Sequence, residues 1–566
     1  HNYLNPLLFS IGILVIFIYS SLGHYYTNVV SNLVNLNPSA WITSVREFLL
    51  LNDVPEVLMV SILLTFPVSF ISGMLFTFVG KMLHLEIEEE TKVTGWLTMT
   101  NTIGGMLGSL SAGFILIPFL GIEKSFLLLG SLYGLLSLFN YEHGLKCEDT
   151  RRRKFYYFFG ISFIVVVISF PIGLMNRYLD VPIAHHSKHR EKRVAYKEGM
   201  NETIQYLRKD IFDKPYYHRL ITNFHSMSAT NINAKRYMKL FVYLPIALQK
   251  SSKNAALIGF GTGMTAKSLV DTKSLEHIAF VDISKDVFGM SKIVFPNPRE
   301  NPINDPRVQR HIEDGRFFLL TTSRKYDLIT GEPPPPTNRG IVSLYTQEYF
   351  QLIHDRLNEG GFVSYWLPIH SLNPEGSKSI LKAFCNVFEN CTLWTGFQTN
   401  WMMVGFKKPH NKVSKEDVLR QWQNPIILDE MQAIGIDSPE RMGALFIADG
   451  KRLRDWIGET EPLVDNYPKR VLGKGYGIIQ NEYGFDKLLY TKEIQENFLN
   501  SMYIADMWPD DGLDNVLPHI PNSQIQIATG YTASPFDLVK KLNDCLVDPL
   551  RTDYDLFWYL QSDRDA

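Results

Sequence analysis

A chain of 566 residues is longer than one hydrophobic core organises, so more than one domain is expected. Its 56 lysines and arginines against 58 acids leave a formal charge of −2, without the basic surplus that neutralises phosphates, so no nucleic-acid partner is expected. Cys147, Cys385, Cys391 and Cys545 lack C-x-x-C spacing, which suggests neither a zinc site nor a disulfide framework and fits a reducing compartment, with Cys385 and Cys391 as small buried hydrophobes.

The first third reads as a membrane region, residues 1–180. Apolar runs at 6–22, 57–79, 97–120, 125–139 and 155–174 mostly approach the roughly 20 residues that cross a bilayer, with 125–139 short. Four or five spans are expected, and the lipid bilayer is the first expected partner. A soluble core is the poorer reading, because successive uncharged apolar runs are costly to house in water. Small residues from Asn101 through Gly104, Gly105 and Gly108 to Gly113 read as a helix-packing face. The runs carry no interior charge to mark a transport path, although Pro67 and Pro118 are placed to kink them. Basic residues flank the last run on both sides, at 151–154 and 177–193, so orientation is undecided; those at 188–193 read as a headgroup-facing or solvated cluster. The chain opens at His1 without an initiator methionine, as expected of a processed or truncated polypeptide, and the parity of the spans stays open.

From about residue 191 the pattern changes to short strands, turns and helices. Residues 202–207 read as a strand of a small antiparallel sheet and 237–248 as a helix. Then Ala255-Ala256-Leu257-Ile258 runs into Gly259-Phe260-Gly261-Thr262-Gly263, an apolar strand ending in a glycine turn. About twenty residues on, Ile278-Ala279-Phe280-Val281 ends in Asp282, the spacing at which a carboxylate holds the hydroxyls of a ribose. Glycines also mark ordinary tight turns, but strand, glycines, helix and strand-end acid in order point to a nucleoside-bearing ligand.

Tyr326 to Gly331 is a third strand leading to an acid, Glu332, and Gly360-Gly361 turns into a fourth. Strands alternating with helices predict a doubly wound, mostly parallel Rossmann-like sheet over 190–410, after the helical membrane region and a small N-terminal β segment. Residues 370–408 hold a helix and two strands that complete the sheet. Residues 411–566 form a mixed extension, folded by its aromatic and leucine content, with docking or covering the site as its two candidate uses.

These landmarks in order resemble the spermidine synthase family of aminopropyltransferases: Gly259, Gly261, Gly263 and Asp282, then Asp305-Pro306-Arg307-Val308, Asp314-Gly315-Arg316, Tyr326-Asp327, Leu344-Tyr345-Thr346 and Gly360-Gly361. Asn101-Thr102, Gly104, the segment from Gly113 to Pro118, Gly121, and Asp465-Asn466-Tyr467-Pro468-Lys469-Arg470 look like the branch that fuses a transporter-like membrane half to the synthase half. The resemblance implies an enzyme moving an aminopropyl group from decarboxylated S-adenosylmethionine to a small amine without a metal. It also implies Asp282 at the ribose and Asp314 with Gly315 near the adenine.

Two positions depart from the family. An acid usually stands where Thr262 does, and the usual catalytic aspartate is replaced by Glu332 before Pro333-Pro334-Pro335-Pro336. Glu332 is the candidate base, against a solvated carboxylate before a rigid proline run. Tyr237 and Tyr345 are candidates to line an amine pocket by cation–π contact, or else core packing. Three readings stay open: an integral protein, expected in a bacterial inner membrane with its synthase half in the cytoplasm; a degenerate half serving as scaffold for membrane-protein partners or a homo-oligomer; or a methyltransferase using S-adenosylmethionine itself.

Overall fold

The computed structural model describes residues 4–24, 54–139 except 88, 150–180 except 178, 191–223 except 212 and 213, 225–336, 340–397, 400–409, 412–466, 488, 491–509 and 513–520. Tyr467 to Arg470, Cys147, Cys545 and the tail beyond 520 lie outside the described residues, as do residues 188–190 of the basic cluster at 188–193. The chain divides into two compact units, residues 1–188 with 197–203, and residues 189–196 with 204–566.

The first unit contains the helices Leu4–His24, Val54–Glu86, Glu90–Ser111, Ile117–Phe139 and Thr150–Ile168. Within them, Thr65–Glu86 and Glu90–Phe139 are long and apolar enough to cross a membrane, while Leu4–Ser20 and Tyr157–Ile168 are shorter apolar helices. The 50-residue stretch is interrupted by a π-helical turn at Ala112–Leu116 and by Gly121, at φ 78° and ψ 170°. That break falls between the apolar runs 97–120 and 125–139. Among the described residues, a Cβ added at Gly104, Gly105, Gly108 or Gly113 of the small-residue stripe meets nothing within 4 Å. Close helix packing occurs instead at Gly130 and Gly134, where an added Cβ would lie 2.6 Å from Ile16 and 2.2 Å from Phe163. On Ile117–Phe139 the packing is close because its glycines meet bulky residues of two other helices.

The second unit begins with a four-stranded sheet in the order β1 (Lys192–Glu198), β2 (Thr203–Ile211), β3 (Lys214–Thr222) and β4 (His225–Ala229). The main sheet has eight strands: β5 (Asn254–Ile258), β6 (His277–Asp282), β7 (Val308–Ile312), β8 (Tyr326–Gly331), β9 (Leu357–Pro368), β10 (Thr392–Phe397), β11 (Asn400–Phe406) and β12 (Phe446–Asp449). Their spatial order is β12-β10-β11-β9-β8-β5-β6-β7. The strands from β9 to β7 pair in parallel, and β11, β10 and β12 continue the sheet antiparallel. The expected doubly wound, mostly parallel sheet is thus present, and its last strand comes from beyond residue 411.

Period-2 alternation assigns the two faces. Ala255, Leu257, Ile278, Phe280 and Leu328 pack with the helix Ile232–Ala247, while Ala256, Ile258, Ala279, Val281 and Ile329 pack with Phe318, Tyr349 and Phe350. Both faces are covered, so these strands read as unbroken apolar runs.

Two motifs lie at the end of the sheet away from the glycine turn. Arg307 donates to the carbonyls of Thr272, Leu275 and Val270 and pairs with Asp305, closing the C-terminal end of the helix Met264–Asp271. Asp327 accepts from the backbone of Lys253 and Asn254 and from Asn358 Nδ2, fixing the start of β5. One expectation is corrected. Cys385 and Cys391 form a disulfide, because the last turn of the helix Pro374–Val387 brings Cys385 to within 5.3 Å, Cα to Cα, of the residue that enters β10. Both are buried, as expected, but the cysteines no longer argue for a reducing compartment.

Arg307→Met is expected to destabilise the second unit by about 2 kcal/mol, since it strips a charged donor from three carbonyls while keeping an apolar stem. Chemical denaturation monitored by tryptophan fluorescence measures this.

Candidate active site

Parallel pairing sets the site. In register, Ile258 faces Val281 on one side and Gly331 on the other, so the residues that follow, Gly259, Asp282 and Glu332, emerge side by side at the carboxyl edge. Backbone bonds continue past the strands: Gly259 N donates to Val281 O, Glu332 N to Ile258 O and Glu313 N to Asp282 O. Asp314 follows β7 on the same edge. The acids at the ends of β6, β7 and β8 therefore form one crest around the glycine turn, where doubly wound sheets bind ligands.

The turn requires its glycines. Gly259, Gly261 and Gly263 have φ of 90°, 54° and 84°, and a Cβ on Gly259 would lie 2.9 Å from the Glu332 carbonyl oxygen. Asp282 braces the turn: Oδ2 accepts from Phe260 N at 2.9 Å and Oδ1 from Ser284 N at 2.8 Å. Asp314 is exposed and caps the helix Gly315–Thr321, Oδ1 accepting from Arg316 N and Phe317 N at 2.9 Å. Gly315 is buried, and a Cβ there would lie 2.4 Å from Ile258 Cγ2, so the helix start packs directly on β5.

Thr262 is 1% exposed and shares a 3.0 Å hydrogen bond with Ser228 on β4. The place of the family's usual acid is occupied by an internal hydroxyl pair, and Ser228 carries no motif that would have singled it out.

Glu332 does not stand out in solvent. Tyr237 OH donates to its Oε1 at 2.6 Å, and the Tyr237 ring stacks on Trp366 at 6.4 Å and 10°. Trp366 Nε1 in turn donates to Asn400 Oδ1 at 3.1 Å. The residue keeps partial exposure, but its carboxyl sits among protein atoms; burial pushes it up to about 8, and the Tyr237 hydrogen bond offsets only part of that. Burial and the Glu332 charge likewise raise Tyr237 well above an ordinary phenol. Tyr345 is fully buried against Tyr365, and its hydroxyl lies 3.4 Å from the carbonyls of Pro333 and Pro334. It thus supports the proline segment from beneath. Trp366 and Asn400 escaped notice because their roles depend on β9 and β11 pairing, which no local pattern announces.

Arg316 reaches Asp465, with Nη1 at 2.8 Å from Oδ1 and Nη2 on Oδ2. Among the described residues no group of three or more His, Cys, Asp or Glu is placed to hold a metal.

This is an α/β domain with a mostly parallel sheet and a glycine turn at its carboxyl edge. Residues 234–416 match the family described as the spermine/spermidine synthase domain. The chain is 29% identical over 153 residues to a polyamine aminopropyltransferase of Pseudomonas syringae, covering 27% of this chain and 53% of that protein. It is 29% identical over 163 residues to that of Alkaliphilus metalliredigens, covering 29% and 57%. The chain thus spans little more than half the length of these relatives. Among solved structures, spermidine synthase from Thermotoga maritima aligns at 18% identity and a TM-score of 0.33, covering 39% of this chain and 74% of that one. A probable spermidine synthase from Corynebacterium glutamicum aligns at 17% and 0.35, covering 48% and 96%. The chain carries a spermidine synthase-like domain.

Glu332 supplies a pH test. Its folded value of about 8 exceeds an unfolded glutamate's of about 4.3, so the folded state keeps a proton that the unfolded state releases. Stability from this group is complete below about pH 4.3 and is lost as pH rises through about 8. Glu332→Gln should remove that loss, gaining on the order of 1–2 kcal/mol over wild type at pH 9 and little at pH 5, after discounting for its partial exposure. Thermal unfolding at both pH values reads the difference.

Proposed function

We propose that this chain is a membrane-anchored aminopropyltransferase of the fused branch, moving an aminopropyl group from decarboxylated S-adenosylmethionine to a small amine on the cytoplasmic face of a bacterial inner membrane. The observation that carries the reading is the crest itself, where Gly259, Asp282 and Glu332 stand on three adjacent strand ends. Asp282 offers acceptor positions for a ribose beside a turn with no side chain at Gly259, Gly261 or Gly263, and Asp314 with Gly315 flanks the adenine position. Glu332 with Tyr237 forms the polar floor on the other side.

The membrane half is supported by the two long apolar helices and by their outward aromatic side chains, with Phe66, Phe119 and Phe139 at 61%, 80% and 85% exposure. Lipid covers such surface without the cost of hydrating it.

In the transfer, the Glu332 carboxylate takes a proton from the arriving ammonium, and the neutral amine nitrogen then attacks the propyl carbon attached to sulfur. The C–N bond forms as the C–S bond breaks, and the electron pair leaves on sulfur to give neutral methylthioadenosine. Alignment supplies most of the rate. The base contributes about 10²–10⁴-fold.

Calorimetric titration of the purified full chain with methylthioadenosine and with both forms of the donor tests this directly. Methylthioadenosine and the decarboxylated donor should bind, Asp282→Ala should weaken both by about 2–3 kcal/mol, and Glu332→Gln should bind as wild type while losing about 10²-fold in turnover or more. Binding by none of the three leaves the scaffold reading; methyl transfer from the carboxylated donor turns the reading to a methyltransferase.

A further inference from the structure

The motif at Asp465 lies outside residues 234–416, yet its carboxylate meets two motifs inside that match. Arg316 of the D-G-R turn pairs with both oxygens of Asp465, and Thr346 Oγ1 donates to Oδ1 at 2.7 Å. Arg316 Nη1 also donates to Ser343 O at 2.9 Å, so one guanidinium ties the start of the helix Gly315–Thr321 to the loop before the helix Gln347–Arg356. The flanking backbone belongs to the same fastening: Gln347 N donates to Leu463 O at 2.9 Å, Leu463 N to Ser379 O at 3.0 Å, and Asp465 N to Glu348 Oε2 at 3.1 Å. Residues 463–465 thereby close the N-terminal end of the helix Gln347–Arg356, whose cap is Thr346.

Two routes lead from this fastening to the crest. Through Arg316 it reaches Gly315 and Asp314, which flank the nucleoside position. Through Thr346 it reaches Tyr345, whose hydroxyl lies under the carbonyls of Pro333 and Pro334, next to Glu332. We propose that Asp465 is a positioning residue that latches the D-G-R turn to the proline loop, so that a segment beyond the synthase-like match sets the nucleoside and amine sides of the site in one arrangement. The charges agree with a formed pair. Burial alone would raise the Asp465 carboxyl, but the hydrogen bonds from Arg316 and Thr346 and the Arg316 charge hold it low, and the Asp465 hydrogen bond raises Arg316.

The inference rests on the aminopropyltransferase reading for its ligands, and its test separates the two. Full-length Asp465→Asn keeps the shape and removes the charge. Expected are about tenfold weaker methylthioadenosine binding, a raised KM for the amine with a smaller change in kcat, and at least fivefold faster hydrogen exchange at Phe317, Gln347 and Tyr349 with Leu257 in β5 unchanged. The exchanged pair Arg316→Asp with Asp465→Arg should recover most of the affinity. Thr346→Val, which deletes the bond to Asp465 together with the cap on Tyr349 N, should accelerate Phe317 and Gln347 less than Asp465→Asn does, and read at those two amides it serves as the test if Asp465→Asn does not fold. Unchanged affinity and exchange in these variants overturn the proposal, and so does acceleration that includes Leu257, which marks general loosening. If the wild-type chain binds no nucleoside, the functional reading fails while the exchange pattern still decides whether the latch exists.

Discussion

The parallel ladder of β8, β5 and β6 is the constraint on which everything else in the second unit depends. Because Ile258 is hydrogen-bonded between the neighbouring strands, a glycine turn after β5 must emerge between the acids that end β6 and β8. A one-residue slip of any of the three strands would turn Ile258, Val281 or Gly331 toward the wrong helical layer. The apolar cores on the two faces therefore hold the site's register as well as the fold, and the site needs no bond of its own to bring Asp282 near Gly259.

Much of this was legible in the sequence, because strand-end acids and glycine turns are local patterns with a fixed period. The glycines and Asp282 were readable for that reason, and so was the gap between the apolar runs 97–120 and 125–139, whereas Asp314 came only with the family resemblance. Three features were not. The Cys385–Cys391 bridge depends on how a helix end meets a strand start, which spacing of six residues does not determine. Ser228, Trp366 and Asn400 act through tertiary contacts alone. The small-residue stripe at 101–113 has the spacing of a packing face, but spacing does not say which neighbour arrives; Ile16 and Phe163 instead meet Gly130 and Gly134.

The ordered motifs also divide by task in a way the sequence conceals. Arg307 and Asp327 stand at the amino edge of the sheet, one closing a helix and the other fixing a strand, so both serve the scaffold. Arg316 and Thr346 look equally structural until Asp465 joins them. Their carboxylate partner lies more than a hundred residues further along, and it bonds both motifs at once.

The remaining question is how a carboxyl pushed up to about 8 can serve as a base near neutrality, where most of it carries a proton. The proposed substrate supplies the answer. A cation about 4 Å from the carboxylate, at an effective dielectric near 20, is worth about 4 kcal/mol, or roughly three pH units on the carboxyl. That nearly cancels the upward push of burial, so an amine that arrives charged converts Glu332 to its carboxylate, and the proton the site must later accept has somewhere to go. The Tyr237 hydroxyl donates a hydrogen bond to that carboxylate but, being uncharged, cannot replace the cation. Under the proposed function a neutral occupant would leave Glu332 protonated, so desolvation of the carboxyl would favour a cation at this half of the site.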